Sequence, residues 1–380
     1  MNFELTEEQS MLRDMMRDFT RNEIEPQAKA LEERHEFPSE LVKKLAELGI
    51  LGITVPPQYG GIQTDHLSLI LAIEEISRAM PSLGVILSVH CSLFCHAVER
   101  YGNEQMKQRY LPPAAAGEIL GAFSLTEPGA GSDISAIKTL AVRKAGGFVL
   151  TGAKAWVTNG KHAGAYILFA KSEVESGRPK LSAFVVDSDT PGLRVEKVEQ
   201  KMGLNASPTT DLVLENCVIP EENLLGREGT GASIALQCLD CSRIGIAAQS
   251  VGLAQRALEE ALDYSRQREA FGQPLAEIQA IQFMLADIAT LADASRLLAY
   301  RAASLLDRGR PFGKEAAMAK LFASEAANKI AYLALQIHGG YGYSREFLIE
   351  QLYRDARVLS IYEGTSEIQR LVISRYLLKE

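Results

Sequence analysis

Cysteine is scarce: five residues in a chain of 380 are too few for a disulfide framework. Cys91 and Cys95 stand four apart and Cys238 and Cys241 three apart, so a four-thiolate zinc site is arithmetically open. Both pairs fall in apolar helical sequence, where buried free thiols are the commoner outcome, and no metal is expected. Positive charge is also short, with 40 Lys and Arg against 48 Asp and Glu and a formal net charge of -8. That balance removes electrostatic support for a general nucleic-acid role. No long uncharged apolar run predicts a membrane span, and Met1-Asn2-Phe3-Glu4-Leu5 lacks the basic and apolar stretches of a secretion signal. The expected location is therefore the cytoplasm, without membrane insertion. Solenoid repeats and low-complexity tracts are missing too. What is left is an ordinary soluble balance, 47% hydrophobic and 23% charged. A single core usually stops growing below this length, so about two or three cooperating domains are expected.

The hydrophobic period changes twice along the chain. Residues 1–120 read as helical: Thr6 and Gln9 form a capping box ahead of Leu12, Met15, Met16 and Phe19 on one face. A second helix has Pro38 in its first turn, then Leu41, Leu45 and Leu48, and Gly49 as its stop. Pro56, Pro57, Gly60 and Gly61 break the chain before an apolar helix holding Leu69, Ile70, Ile73 and Ile76. Residues 121–231 then read as a β domain, with strands predicted around 148–150, 165–170, 181–186 and 212–214. Helices of βαβ length do not intervene, and Gly129, Gly131 and Gly160 do not form a GxGxxG turn, so a Rossmann fold is disfavoured. Residues 232–380 return to helix. Met318, Phe322, Ala326, Ile330, Leu333 and Ile337 form a stripe that ends at Gly339-Gly340, in alanine-rich sequence suited to a four-helix bundle with a subunit contact.

Three segments carry chemistry. Ile361-Tyr362-Glu363-Gly364-Thr365-Ser366-Glu367-Ile368-Gln369-Arg370 sets one carboxylate before a glycine that permits close backbone approach. Glu363 accepts a proton there if partial burial raises its pKa. The other two segments are Phe123-Ser124-Leu125-Thr126-Glu127-Pro128-Gly129-Ala130-Gly131-Ser132-Asp133 and Ala155-Trp156-Val157-Thr158-Asn159-Gly160. Together they resemble the acyl-CoA dehydrogenase family, its short-chain members most closely, and the resemblance spans essentially the whole chain.

The resemblance implies a multidomain α+β fold of helical domain, β domain and four-helix bundle. It also implies an FAD enzyme that removes two hydrogens from adjacent carbons of an acyl-CoA, leaving the trans-2-enoyl-CoA. Glu363 would take the α proton, and its backbone N–H, with a ribityl hydroxyl of FAD, would hold the thioester oxygen as charge develops. The family's second location for the base matches Ser242 in Asp240-Cys241-Ser242-Arg243, and a serine hydroxyl holds its proton too strongly to replace a carboxylate.

By the same resemblance Phe123, Leu125, Thr126, Trp156 and Thr158 line the flavin, and Ser132 serves its pyrophosphate and the CoA mouth. Asp133 is an orienting group. Read alone, Trp156 is a core residue and the threonines serve strand or turn geometry. Arg268 and Phe271, with Gln336 and Gly340, would reach the FAD of a neighbouring subunit, in a homotetramer of FAD-sharing dimers. Thr365 and Glu367 would meet the nucleotide half of FAD. Glu363 and Gly364 would touch substrate, and Arg243 the CoA portion, with an ion pair inside the subunit as the competing reading.

Butyryl-CoA is the expected substrate and electron-transferring flavoprotein the expected acceptor. Gly84 stands where glutaryl-type relatives carry an arginine, which argues against a distal carboxylate on the acyl group. Medium-chain, branched and cyclic substrates, an oxidase, and a scaffold that binds acyl-CoA or flavin without reaction stay open.

Overall fold

The side chain of Thr6 accepts from Gln9 N at 3.2 Å and that of Gln9 from Thr6 N at 3.0 Å, so the expected capping box starts the first helix. Such a cap contributes about 1 kcal/mol. In a computed structural model, residues 4–173 and 179–378 are described. The amino-terminal helices are α1 (Glu7–Phe19), α2 (Glu25–Arg34), α3 (Ser39–Glu47), α4 (His66–Ala79), α5 (Pro81–Ser88), α6 (His96–Tyr101) and α7 (Glu104–Ala115). Leu41 and Leu45 of α3 are buried, and Gly49 follows in the left-handed region at φ 75°.

A π-helical turn, Val89–Cys95, joins α5 to α6 without a break. The run Pro81–Tyr101 is therefore 21 residues long with mean hydropathy 1.5, enough by length and composition to cross a bilayer. The expectation that no long uncharged apolar run exists is thereby corrected, since residues 81–98 contain no Asp, Glu, Lys or Arg. Its most apolar window is 94% buried inside the protein, so this helix threads the core.

Strands β1 (Leu120–Ser124), β2 (Leu140–Lys144), β3 (Gly147–Thr158), β4 (Ala163–Glu173), β5 (Pro179–Asp187), β6 (Leu193–Val198), β7 (Thr209–Pro220) and β8 (Leu224–Leu225) make one sheet. Its order is β6-β7-β3-β2-β4-β5-β8, with β1 added parallel to β4. The four predicted strands lie inside β3, β4, β5 and β7. The structure adds β2 and β6, whose residues are mostly exposed, the two-residue β8, and β1, whose Leu-Gly-Ala-Phe-Ser has no β-branched residue.

The carboxy-terminal part consists of α8 (Gly231–Gln267), a hairpin of β9 (Glu269–Ala270) and β10 (Gln273–Pro274), then α9 (Gln279–Asp307), α10 (Gly313–His338), α11 (Leu348–Leu359) and α12 (Ser366–Leu377). Ala316, Ala319, Ala323, Ala327, Ala331 and Ala334 of α10 are all buried. Methyl-sized side chains let α8 and α9 approach α10 closely. The helix stops at Gly339, φ 60°, as its sequence predicts.

A polar clasp joins the three parts. Asp355 of α11 accepts from Leu204 N at 2.7 Å, and Glu32 of α2 accepts from Asn205 N at 2.8 Å and Ala206 N at 3.1 Å. Both carboxyls are buried. Burial first, then the neighbouring Glu32, pushes Asp355 up to about 7.

Candidate active site

The segment 361–370 links α11 to α12. Tyr362 N donates to Val358 O at 3.1 Å to finish one helix, while Thr365 Oγ1 accepts from Ile368 N at 3.3 Å to cap the next. Between them Glu363 and Gly364 take φ values of 53° and 93°. A left-handed glutamate costs about 1–3 kcal/mol and persists only where its surroundings impose it. Lys320 Nζ donates to Gly364 O at 2.7 Å, and Gln369 Nε2 donates to Glu363 O at 3.2 Å and to Gly364 O at 2.9 Å. Tyr362 hydrogen-bonds Gln249 of α8.

These contacts turn the Glu363 side chain inward. Its Oε2 is shielded from solvent and has no hydrogen-bond partner among the described residues. Burial raises the Glu363 pKa, opposed by Ser242, Lys320 and Arg243, which favour the carboxylate. Lys320 is itself buried, and that burial pulls its pKa down to about 7 against the attraction of Glu363. Ser242 is a fully buried hydroxyl. Arg243 is buried and paired with Asp240, so the competing ion-pair reading describes its position.

The two flavin segments meet edge to edge: Ala155 N donates to Thr126 O at 2.9 Å. A buried hub holds them together. Glu127 accepts from Lys138 N at 2.6 Å, Thr139 N at 3.0 Å and Lys154 Nζ at 2.9 Å, and Lys154 also donates to Leu125 O at 3.3 Å. Burial would raise the Glu127 pKa, but these donors outweigh it and hold the carboxyl below its ordinary value. Burial pulls Lys154 down to about 8 against the pull of Glu127.

Two residues beyond Lys154, Trp156 takes φ 59° and is 58% exposed, between buried Ala155 and Val157. It is not the core residue that its strand context alone would make it. A strained, outward aromatic wall beside Thr126 and Thr158 fits a planar cofactor such as FAD. Phe123 packs against Phe169 with the rings tilted and their centroids 4.9 Å apart, Leu125 is buried, and Ser132 is exposed in the loop after the Glu127–Ala130 turn. Asp133 accepts from Ser135 N at 2.9 Å and so caps the short turn that follows it.

Arg268, Gln336 and Gly340 gather at a second place. Arg268 and Gly340 line a cleft of about 530 Å³ with Tyr264, His338, Gly339 and Tyr341, and Gln336 lies exposed on the adjoining last turn of α10. The Arg268 guanidinium lies 5.4 Å from the Tyr341 ring centroid, and Phe271, at the hairpin tip, is 97% exposed. His338 is buried against Tyr264 and bonds Ala334 O through Nδ1 at 2.8 Å. Thr365 and Glu367 lie at the start of α12, Thr365 as its cap and Glu367 exposed. A larger cleft of about 840 Å³, lined by Arg13, Arg17, Arg78, Glu74 and Arg296, contains none of the motif residues.

Sequence reasoning missed Lys320, Lys154 and Gln249. The signal for Lys320 was a lone cation on the alanine face of α10, for Lys154 one in an apolar strand. Gln249 carried none.

Family models for the amino-terminal, middle and carboxy-terminal domains of acyl-CoA dehydrogenase match residues 6–118, 122–217 and 229–378. An acyl-CoA dehydrogenase of Bacillus subtilis is 52% identical over 98% of this chain and 99% of its own. A mitochondrial short-chain specific acyl-CoA dehydrogenase of Mus musculus is 49% identical over 99% of this chain and 91% of its own. The butyryl-CoA dehydrogenase structure from Megasphaera elsdenii superposes with a TM-score of 0.97 at 40% identity, covering 100% of both chains.

The expected cytoplasmic location is overturned here: the mouse, rat, cattle, human and pig short-chain enzymes are all named as mitochondrial. Organellar leaders are removed on import, so the composition at residue 1 says nothing of compartment. The three-part fold, the half-buried Glu363 and the family matches over nearly the whole length agree: the chain belongs to the acyl-CoA dehydrogenase family and is an FAD-dependent oxidoreductase of acyl-CoA thioesters.

Proposed function

We propose that the protein converts butyryl-CoA to its trans-2-enoyl-CoA with Glu363 as the base. The observation that carries this reading is the inward, strained Glu363 carboxylate with an unpartnered oxygen, beside a serine where the alternative base would stand. Its raised pKa makes it a stronger proton acceptor than a solvated glutamate. The Glu363 N–H donates to no protein group among the described residues, which leaves it free to hold the thioester oxygen as charge gathers there. FAD, when bound, accepts the β hydrogen with its electron pair.

Phe123, Leu125, Thr126, Trp156 and Thr158 hold the flavin, and Ser132 serves its pyrophosphate and the CoA mouth. Arg268, Phe271, Gln336 and Gly340 serve the FAD of a neighbouring subunit, and Thr365 and Glu367 its nucleotide half. Arg243, fixed by Asp240, acts on Glu363 from within rather than on CoA. The domains run 1–120, 121–231 and 232–380, and electron-transferring flavoprotein takes the electrons.

Short-chain preference is supported by Gly84. It supplies no cation for the distal carboxylate of a glutaryl group, and a Cβ there would lie 2.0 Å from Ser77 Oγ. The test is anaerobic addition of butyryl-, octanoyl-, isovaleryl- and glutaryl-CoA to the yellow holoenzyme. Bleaching with the greatest kcat/KM on butyryl-CoA is expected; a maximum on another acyl group removes the preference, and no bleaching on any removes the reaction. Reoxidation by flavoprotein faster than by oxygen separates dehydrogenase from oxidase.

A further inference from the structure

Three side chains that the chemistry at Glu363 does not use converge elsewhere in the helical core. His66 opens α4, His96 opens α6, and Cys241 lies within α8, yet one donor atom from each falls within 4.8 Å of the others. Cys91, Cys95 and Cys238 take no part, so the convergence differs from the four-thiolate arithmetic of the sequence.

Each donor is prepared differently. His66 Nδ1 bonds Asp307 Oδ1 at 3.0 Å, and the same carboxylate accepts the backbone N–H of His66 at 2.7 Å and of Leu67 at 3.1 Å. An Nδ1–H donated to a carboxylate leaves the lone pair on Nε2. That is the tautomer and orientation that a carboxylate gives a metal-ligating histidine. The His96 ring makes no hydrogen bond among the described residues, and it meets the ring of His66 edge-on with centroids 6.3 Å apart. Cys241 is 3% exposed and in no disulfide.

We infer that His66 Nε2, His96 and Cys241 Sγ bind one divalent cation of the zinc class, with Asp307 orienting His66 and water completing the fourth position. Two imidazoles and a thiolate suit zinc, whereas calcium and magnesium require oxygen ligands. On binding, Cys241 gives up its thiol proton and a sulfur–metal bond replaces the S–H bond, with no redox change. The cation would clip α4 and α6 of the amino-terminal helices to α8 of the bundle. It is a structural tie, independent of dehydrogenation.

The test uses metal-depleted holoenzyme with FAD in place, titrated with Co²⁺ alone. Saturation at one Co²⁺ per chain is expected, with a sulfur-to-cobalt charge-transfer band and d–d bands on the red side of the flavin absorption. Zn²⁺ should displace the Co²⁺ and raise the Tm. Cys241→Ser should lose the charge-transfer band, His96→Ala should weaken binding at least about tenfold, and Asp307→Asn about 10–100-fold. Cys91→Ser should leave the titration unchanged. Saturating Co²⁺ without a thiolate band in the parent, or superimposable titrations of the parent and His96→Ala, would overturn the site. If Cys241→Ser loses FAD or unfolds, His96→Gln decides by the same titration, since its ring is only partly buried.

Discussion

At the scale of single residues, Glu363 is defined by what surrounds it. Glu363→Gln keeps the size of the side chain but not its basicity, so FAD content and butyryl-CoA binding should persist. Anaerobic flavin reduction should slow by at least ~100-fold, the usual scale of positioned acid–base catalysis. Near-native reduction would make Glu363 structural. Because burial raises its pKa, the rate should fall as pH drops through a value above the ordinary glutamate range of about 4.3. Lys320 favours the carboxylate, so Lys320→Met should move that acid limb to higher pH and Lys320→Arg should restore it. An unmoved limb would confine Lys320 to its bond with the Gly364 carbonyl.

At the scale of elements, buried charges decide how segments meet. Lys154 of β3 and Glu127 of the first flavin segment are both buried and bonded to each other. Removing one partner leaves the other charged without compensation. Lys154→Met should cost about 3–5 kcal/mol by denaturant unfolding, with loss of FAD as the Thr126 and Trp156 edges part; a stability unchanged within error would show the pair to be incidental. The clasp at Asp355 has the opposite sign to an ordinary ion pair. Its folded pKa of about 7 lies above the ordinary 3.8, so the folded state binds the proton more tightly. The stability it contributes is complete below the ordinary value and declines as pH rises through about 7. Melting temperature should therefore fall between pH 5 and pH 8, and Asp355→Asn, which still accepts from Leu204 N, should flatten that slope. A mutant slope equal to the parent's would place the dependence elsewhere.

At the scale of the whole molecule, the surface is unfinished. Phe283 of α9 is 62% exposed, Phe322 and Tyr332 of α10 are 37% and 51% exposed, and Phe271 in the hairpin between α8 and α9 is 97% exposed. Large apolar side chains grouped on one bundle normally meet another surface. A four-chain particle is the expected outcome of sedimentation equilibrium, and a fully active holo-monomer would contradict it. Phe271→Ala should weaken FAD retention through lost apolar contact; unchanged affinity would remove its proposed part in the shared site.

The sequence alone determined whatever rests on neighbouring residues. The capping box at Thr6, the stripe and stop of α10, the strands with continuous apolar runs and the carboxylate set before a glycine in Tyr362-Glu363-Gly364 were legible because periodicity, caps and motifs are local properties. Strands β2 and β6 were not, since exposed strands exist by pairing rather than by their own hydrophobicity. Only tertiary structure could bring Lys320 to Gly364, Glu32 and Asp355 to one loop, or His66 and His96 to Cys241, because each pair is far apart in sequence. It also decided the state of each charge: a pKa responds to burial and to partners across the fold, and neither is written in the identity of the residue.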